Sequence, residues 1–540
     1  MQLKQYIEQL GGLDNIKRVL IPDERLIFEI DDLAKIDSLQ SHQENAKIEV
    51  NATLNQVSFS KPENLTQSDL LEIDKELAAR QIEDSEQAQI PQSCEYRPSW
   101  HISPPQGLLN DPNGFIYHQG QYHLFYQWYP HDCVHKDKYW VHLTSSDLVN
   151  WQWQSVALTP SAWCDSHGVF SGHAVSCDQT LFLFYTGNVR IGEARDRHTT
   201  QCLATSSDGI HFEKHGPVIT QLPPNVTPHC RDPKVVQHGE SWLMLLGVQT
   251  TDLKGRLALY RSDDLYTWEF KGIYGDELGD FGYMWECPDL FSLNGQTFVV
   301  IGPQGIVSKS PHHHVQHHNA ILKAKLTDSG DLRLTTHQTL DHGFDFYAPQ
   351  TSLSCDGRRL LCAWMGLPDE INQPSVENGW VHQLTSMREL TYKDGVLYQT
   401  PIEELKQLRA AEQIKILDDS SFDLGSNCYE LKLNMQWGSE LTLFQNESYQ
   451  VKIALDKTKR RLIFDRSHTL IREGDVIREL PLQSEAVDLH ILVDTSSVEV
   501  FVNGGEQVLT SRVFVPEDAT QVSLIGKAEI KLWLLNPAKP

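Results

Sequence analysis

A strand–turn–strand unit that recurs five times constrains this chain more than any other feature. The first copy reads LLNDPNGFIYHQGQYHLFYQ and carries Asp111. Later copies read FSGHAVSCDQTLFLFYTG, RDPKVVQHGESWLMLLG, ECPDLFSLNGQTFVVIG and FYAPQTSLSCDGRRLLCAWMG. Each sets two apolar runs around a turn rich in Gly, Asp or Asn. Anchored at Asp111, Gly172, Asp232, Glu286 and Tyr347, the copies lie 61, 60, 54 and 61 residues apart. A repeat of this length reads as the blades of a propeller or another stacked array. A second element recurs in phase: SSDLVNW, SSDGIHF and SDDLYTW carry Asp147, Asp208 and Asp264. Each is a short turn followed by an aromatic, as expected between the outer strands of a blade.

Three regions separate along the 540 residues. Residues 1–90 are polar and acidic and read as a small α/β extension. LKQYIEQLG places Leu3, Tyr6, Ile7 and Leu10 on one helical face, and Gly11-Gly12 stops it. RLIFEID reads as a strand, and DLLEIDKELAARQIED as a second helix with Ser68 as N-cap. Residues 98–400 hold the repeat and predict a five-bladed β-propeller. Residues 408–540 alternate apolar and polar in short runs such as YQVKIALD and SVEVFVNG, the pattern of a β-sandwich. PIEELKQLRAAEQIKIL reads as a short helical linker between them. The fold class is therefore mainly β: a propeller, then a C-terminal β-sandwich, with an N-terminal α/β extension.

The formal net charge of −26 argues against nucleic acid or an anionic membrane as partner, since either needs a basic face. No stretch approaches the ~20 apolar residues of a membrane helix, and the N-terminus lacks the apolar run of a signal peptide. A cytoplasmic protein follows, and its ten scattered cysteines read as reduced thiols, Cys202 and Cys362 among them within strand-like runs. His312, His313, His314, His317 and His318 cluster locally, but in a polar segment after a strand, where a solvated loop outweighs a metal site. No metal or organic cofactor is expected.

Asp111 alone is an ordinary turn acid in NDPNG. Asp232 and Glu286 at matching places change that, because the innermost strand of each blade lines the central channel. Carboxylates brought together there push at least one pKa up, and burial of Glu286 beside Trp285 is expected to raise it further. Two carboxyls with separated pKa values are the working pair of a glycoside hydrolase. Trp128, Trp140, Trp285 and Tyr347 are aromatics suited to a sugar face.

In this order, NDPNG, FYQ, FSG, RDP, ECP and FYAPQ resemble glycoside hydrolase family 32, the β-fructosidases, from about residue 98 to the C-terminus. The resemblance implies Asp111 as nucleophile, Glu286 as general acid/base and Asp232 as transition-state stabiliser of a retaining reaction on a fructofuranosyl unit. The first two carboxyls should then lie nearer ~5 Å than ~9 Å apart. It also implies Asn110, Gln127, Trp140, Phe170, Ser171, Arg231 and Tyr347 as fructose-binding positions. FYQWYPHDCVHKDKYWVHLTSSDLVNWQ and AWMGLPD are closer to the bacterial sucrose-6-phosphate branch than to secreted invertases. Lys136, Lys138, Arg190, Arg195 and Arg197 are then candidate phosphate ligands. The near alternatives are a β-fructosidase on unphosphorylated sucrose or short fructans, a fructosyltransferase, and a non-catalytic sugar-binding propeller. Three departures stand out: His173 after FSG, Met387 in LTSMREL, and Leu108-Leu109 before the NDPNG turn.

Within residues 1–90, YIEQLGGLDNIKRVLIPDERLIFEID resembles the start of a glucose-type phosphotransferase EIIB domain. Gly11, Gly12, Asn15 and Ile16 match, but Pro22 stands at the phosphocysteine position. The resemblance implies a degenerate module without phosphoryl relay, kept for self-contact, stability or contact with a sugar transporter.

Overall fold

The computed structural model describes residues 2–36, 48–86, 94–306, 317–370, 372–471 and 475–539. Five antiparallel sheets follow one another, each built mainly of four strands in sequence order. Their inner strands are Gly107–His118, Val169–Cys177, Val226–His238, Met284–Leu293 and Tyr347–Leu353. These touch in cyclic order, the fifth against the first, so the ring is closed. A short strand, Trp380–Val381, completes the closure by pairing in parallel with Gly107 and Leu108 of the first blade.

Every inner strand bulges at the same height. Asn110-Asp111, Ser171, Asp232-Pro233, Cys287-Pro288 and Ala348-Pro349 drop out of the pairing register. Proline has no N–H to lose from a ladder, which suits it to a bulge. Asp232, Cys287 and Ala348 adopt left-handed φ of 66°, 46° and 47°, a conformation that costs a non-glycine residue about 1–3 kcal/mol. Such bulges re-aim side chains, here toward the axis. The register corrects the anchors of the sequence repeat. Glu286 pairs with Gly302 as Arg231 pairs with Gly247 and Tyr347 with Trp364. Glu286 is thus equivalent to Arg231 and Tyr347, one residue before the position that Asp232 occupies.

The outer turns keep one construction. Asp147 accepts from the N–H groups of Val149 and Asn150, Asp208 from Ile210 and His211, and Asp264 from Tyr266 and Thr267. Leu148 (φ 65°), Gly209 (φ 75°) and Leu265 (φ 69°) share the left-handed position that follows.

Beneath the mouth the channel is filled by side chains. Gln350 donates to the Gly172 carbonyl at 2.5 Å, and the Gly172 N–H donates to Asn113 Oδ1 at 3.0 Å. Lys234 donates to His173 Nε2 at 2.8 Å and pairs with Asp289 at 3.0 Å. His173, unusual after FSG, is therefore part of a polar plug across the axis.

After the propeller, the expected helical linker is only a 3₁₀ turn, Glu403–Leu408. The rest of that segment joins the strand Gln413–Asp423, whose β-branched Ile414 and Ile416 suit an extended chain. That strand pairs along the whole length of the last one, Gln521–Leu534. The last strand leaves one layer of the sandwich for the other: its start pairs with Glu440–Gln445 and its end with Cys428–Met435. The core between the layers is aliphatic, with Leu431, Ile453, Val500 and Ile530 fully buried.

The N-terminal module is a four-stranded antiparallel sheet with the helices Gln2–Gln9 and Gln67–Glu86. Tyr6, Ile7, Leu10, Phe28, Phe59, Ile73 and Leu77 form its own core. Thr66, rather than Ser68, caps the second helix: its hydroxyl accepts from the Asp69 N–H at 3.2 Å, while the Asp69 carboxylate accepts from the Thr66 N–H at 2.9 Å. This reciprocal pair is a capping box. The module is bound firmly to the propeller. Lys214, buried in the second blade, pairs with Asp74 of that helix at 3.3 Å and with Asp165 at 2.8 Å.

All ten cysteines are unpaired. Among the described residues no helix is long and apolar enough to cross a membrane. His312, His313 and His314 lie outside the described residues. His317 is not solvated, contrary to expectation: it is buried, bridges to Gln304, and packs edge-on against Tyr347 at 5.8 Å.

Candidate active site

The bulges deliver three carboxylates to one cavity of about 520 Å³ at the mouth of the ring. Asp111 Oδ2 accepts from Ser171 Oγ at 2.5 Å and from the Cys287 thiol at 3.4 Å. Asp232 Oδ2 accepts from the Cys287 N–H at 2.9 Å, and its own N–H donates to Thr186 Oγ1 at 2.9 Å. Cys287 thus lies between the two aspartates. Glu286 Oε1 accepts from Arg231 Nε and Nη2 at 3.0 and 2.7 Å. Its Oε2 accepts from Tyr347 OH at 2.8 Å and Gln304 Nε2 at 2.7 Å.

The electrostatics follow from one arginine among three acids. Burial pushes Asp111 up, against the hydrogen bond from Ser171 and with help from the charge of Glu286. Burial likewise pushes Asp232 up to about 7, with Arg231 opposing and Glu286 adding to the shift. Glu286 goes the other way: its burial is outweighed by the charge and hydrogen bonds of Arg231. The expected rise of Glu286 beside Trp285 is therefore corrected. Trp285 is fully buried between the third and fourth blades, its indole donating to the Phe281 carbonyl.

Asn110, Gln127, Phe170, Ser171, Arg231 and Tyr347 all line the cavity. Asn110 donates to Gln127. Trp140 does not line it: fully buried, it donates to the Phe170 carbonyl at 3.2 Å and so supports that wall from behind. Trp128 is also inside the blade, bonded to the Gln106 carbonyl at 2.7 Å. The tryptophan that does reach the cavity, beside Phe170 and Tyr347, is Trp364. It sits on a second strand, register-paired with Tyr347. His135, His167, Asn188, His229 and Gln304 are further lining residues that sequence reasoning missed. They lie on neighbouring strands and loops with no motif of their own. Arg231 Nη1 lies 3.0 Å from His229 Nδ1, and burial beside this cation pushes His229 down to about 4.

All five expected cations, Lys136, Lys138, Arg190, Arg195 and Arg197, line the same cavity. Arg197 donates to Asn188 Oδ1 at 3.2 Å and lies over the Phe170 ring at 5.5 Å. Burial, then the like charges of Arg231 and Arg190, push it down to about 9. Burial pushes Lys138 down to about 7. The cavity therefore holds both the three carboxylates and the five cations.

A buried glycosidase-type acid cluster at the centre of a five-bladed propeller defines a class of carbohydrate-cleaving enzyme. The family comparison names it. Residues 101–401 match the N-terminal domain of glycosyl hydrolases family 32, and residues 403–533 match the C-terminal domain. The chain belongs to this family. A "Probable sucrose-6-phosphate hydrolase" from Psychromonas ingrahamii is 60% identical, covering 100% of this chain and 99% of that protein. The "Sucrose-6-phosphate hydrolase" of Bacillus subtilis is 40% identical over 86% of this chain and 99% of its own length. Among solved structures, the sucrose-6-phosphate hydrolase from Lactobacillus gasseri superposes with a TM-score of 0.77 at 32% identity, covering 86% of this chain and 98% of that one. A Bombyx mori β-fructofuranosidase gives a TM-score of 0.75 at 31% identity, covering 88% and 100%.

Proposed function

We propose that this enzyme hydrolyses the β-fructofuranosyl bond of sucrose 6-phosphate, releasing glucose 6-phosphate and fructose with retention at the anomeric carbon. One observation carries the phosphate half of this reading. In a chain of net charge −26, five cations gather at one cavity. Among the described residues none of the five is ion-paired to a carboxylate. Lys138 is buried, Arg190 and Arg197 are half-buried and Lys136 and Arg195 are exposed. Cations without a carboxylate partner gathered this way favour an anion there, and charge-assisted bonds to phosphate are among the stronger polar contacts. The three relatives named sucrose-6-phosphate hydrolase above support the same substrate.

The roles in the mechanism are those the family resemblance implies. Asp111, held by Ser171, attacks the anomeric carbon as the fructosyl–oxygen bond breaks. Glu286 gives its proton to the leaving oxygen of glucose 6-phosphate. Water then attacks the fructosyl–Asp111 ester, losing its proton to Glu286, and fructose leaves. Asp232, rigid in its left-handed bulge, holds fructose hydroxyls. Asn110 Oδ1 and Trp364 Nε1 are buried without a protein partner, an acceptor and a donor suited to sugar hydroxyls. Glu286 must carry a proton at the start, yet Arg231 lowers its pKa. A sugar that takes Arg231 as a partner and excludes water relieves this and moves Glu286 upward.

The test is kcat/KM on sucrose and on sucrose 6-phosphate with purified enzyme. A preference of at least tenfold for the phosphorylated sugar is expected. Equal values would assign the enzyme to unphosphorylated β-fructosides instead.

A further inference from the structure

Two loops build the wall of the cavity that faces the N-terminal module. One joins the second and third strands of the first blade and carries Lys136, Asp137 and Lys138. The other precedes the second blade and carries Ser166 and His167. Arg18, on the module strand Ile16–Leu20, reaches both. Its guanidinium donates to the Asp137 carboxylate, and its Nε donates to the Ser166 carbonyl at 2.8 Å. Glu29, the cross-strand neighbour of Arg18, fixes the same guanidinium at 2.5 Å. Arg18 is nearly buried, with 11% of its side chain exposed. A planar fork gripping two separate loops sets their spacing, which a point-charge lysine cannot do.

The grip also has an electrostatic consequence. Asp137 lines the cavity between Lys136 and Lys138. An unpaired carboxylate there would repel an anionic substituent and compete for both lysines. Arg18 neutralises it. The same face of the module sheet closes one side of a second cleft of about 750 Å³, opposite Ile191–Glu193. That hairpin tip joins the strands that carry Arg190 and Arg197. The module therefore touches the loop of Lys136 and Lys138 through Arg18 and faces the hairpin of Arg190 and Arg197 across that cleft.

We propose that Arg18 is a specificity-positioning residue: the N-terminal module uses it to hold the Asp137 and Ser166 loops so that the cavity mouth accepts a phosphorylated sugar. The inference rests on the substrate reading above. Arg18 touches no reacting atom, so it acts on discrimination rather than on chemistry.

The experiment measures kcat and KM on sucrose and sucrose 6-phosphate for the full-length protein, Arg18→Gln, Arg18→Lys, Arg18→Gln with Asp137→Asn, and Lys75→Ala. Lys75 pairs with Glu213 on the exposed side of the same interface and reports docking without the loop contacts. Arg18→Gln is expected to raise KM for sucrose 6-phosphate about 5–20-fold, the size of roughly one hydrogen bond, and to leave kcat/KM on sucrose within twofold. Arg18→Lys should fall between, Asp137→Asn should restore part of the preference to Arg18→Gln, and Lys75→Ala should match wild type. A wild-type ratio near one sinks the substrate reading and this inference with it. A wild-type preference that Arg18→Gln or, if that variant does not fold, Arg18→Lys retains in full overturns the inference alone.

Discussion

Two buried charge clusters in this molecule invite comparison. At the seam between propeller and sandwich, Arg388 bonds Glu499 at 2.6 Å and Asp341 at 3.0 Å, Arg466 bonds Asp345 at 2.6 Å, and His101 lies 2.9 Å from both Asp494 and Glu499. Backbone N–H groups of Ser99, Trp100 and His101 also point at Asp494. Burial works against Glu499, but Arg388 and His101 outweigh it and hold it down at about 2. Asp494 is lowered in the same way by His101, whereas Asp341 is still pushed up by its burial. At the axis, Arg231 pairs with Glu286 at 2.7 Å and lies 3.9 Å from Asp232, while Asp111 and Asp232 are pushed up. The seam carboxylates are bonded directly by cations and join two domains. At the axis Asp111 and Asp232 accept their hydrogen bonds from a hydroxyl, a thiol and a backbone N–H, and their burial keeps them pushed up, the condition that suits a carboxyl to exchange protons.

The largest difference between them should be in turnover against stability. Asp111→Ala and Glu286→Ala are each expected to lower kcat by roughly 10⁴-fold or more. The melting temperature should stay the same or rise in Asp111→Ala, which removes a carboxyl that burial pushes up, and should fall in Glu286→Ala, which leaves Arg231 buried without its partner. Retained turnover in either variant would break the mechanism. The seam should respond in the opposite way. Arg388→Met leaves Glu499 and Asp341 buried without their cation, a loss of about 3–5 kcal/mol. It should appear as a lower melting temperature, with kcat per folded molecule nearly unchanged. A drop in kcat without a drop in stability would erase the distinction.

The smallest effect, and the sharpest in sign, is in pH. Glu499 is held at about 2 against an ordinary 4.5. Its contribution is complete above about pH 4.5 and is lost as pH falls toward 2. Asp232, raised from 3.8 to about 7, costs stability fully above pH 7, and that cost fades as pH falls toward 3.8. Asp232→Asn should therefore raise the melting temperature at pH 8 and not at pH 4. Glu499→Gln should flatten the acid-side loss of the parent protein. Thermal denaturation from pH 3 to 8 checks both.

Much of this was legible beforehand, and what was not has physical reasons. The fivefold repeat survives in sequence because each blade needs the same two apolar runs and turn. Even the outer-turn acids Asp147, Asp208 and Asp264 do the work their pattern implied. The bulges blurred the inner anchors, since Asp232 and Glu286 both reach the axis from register positions one residue apart. Trp140 and Trp285 misled because strand alternation alone does not say which face turns to the cavity and which to the next blade. Trp364, His135 and Asn188 converge from different blades; Trp364 and His135 lie inside quoted motifs, but nothing local says that these side chains turn into one cavity. The partner of Asp137 could not be seen at all. Arg18 is 119 residues away in another domain, and a lone arginine in a strand has no signature.

The parallel pairing of Trp380–Val381 with Gly107 and Leu108 has a consequence in time. The strand that bears Asp111 is made early, but its edge is completed by residues translated more than 270 positions later. At ~5–20 residues per second, that is about 15–50 s of synthesis. Until then the ring is an open arc, and the strand start carries unpaired backbone groups of the kind that recruit a foreign strand. The module ahead of it has its own core and a local sheet, so it can be folded by the time the arc closes. The order of manufacture thus closes the centre of the enzyme only after all five inner strands have been made.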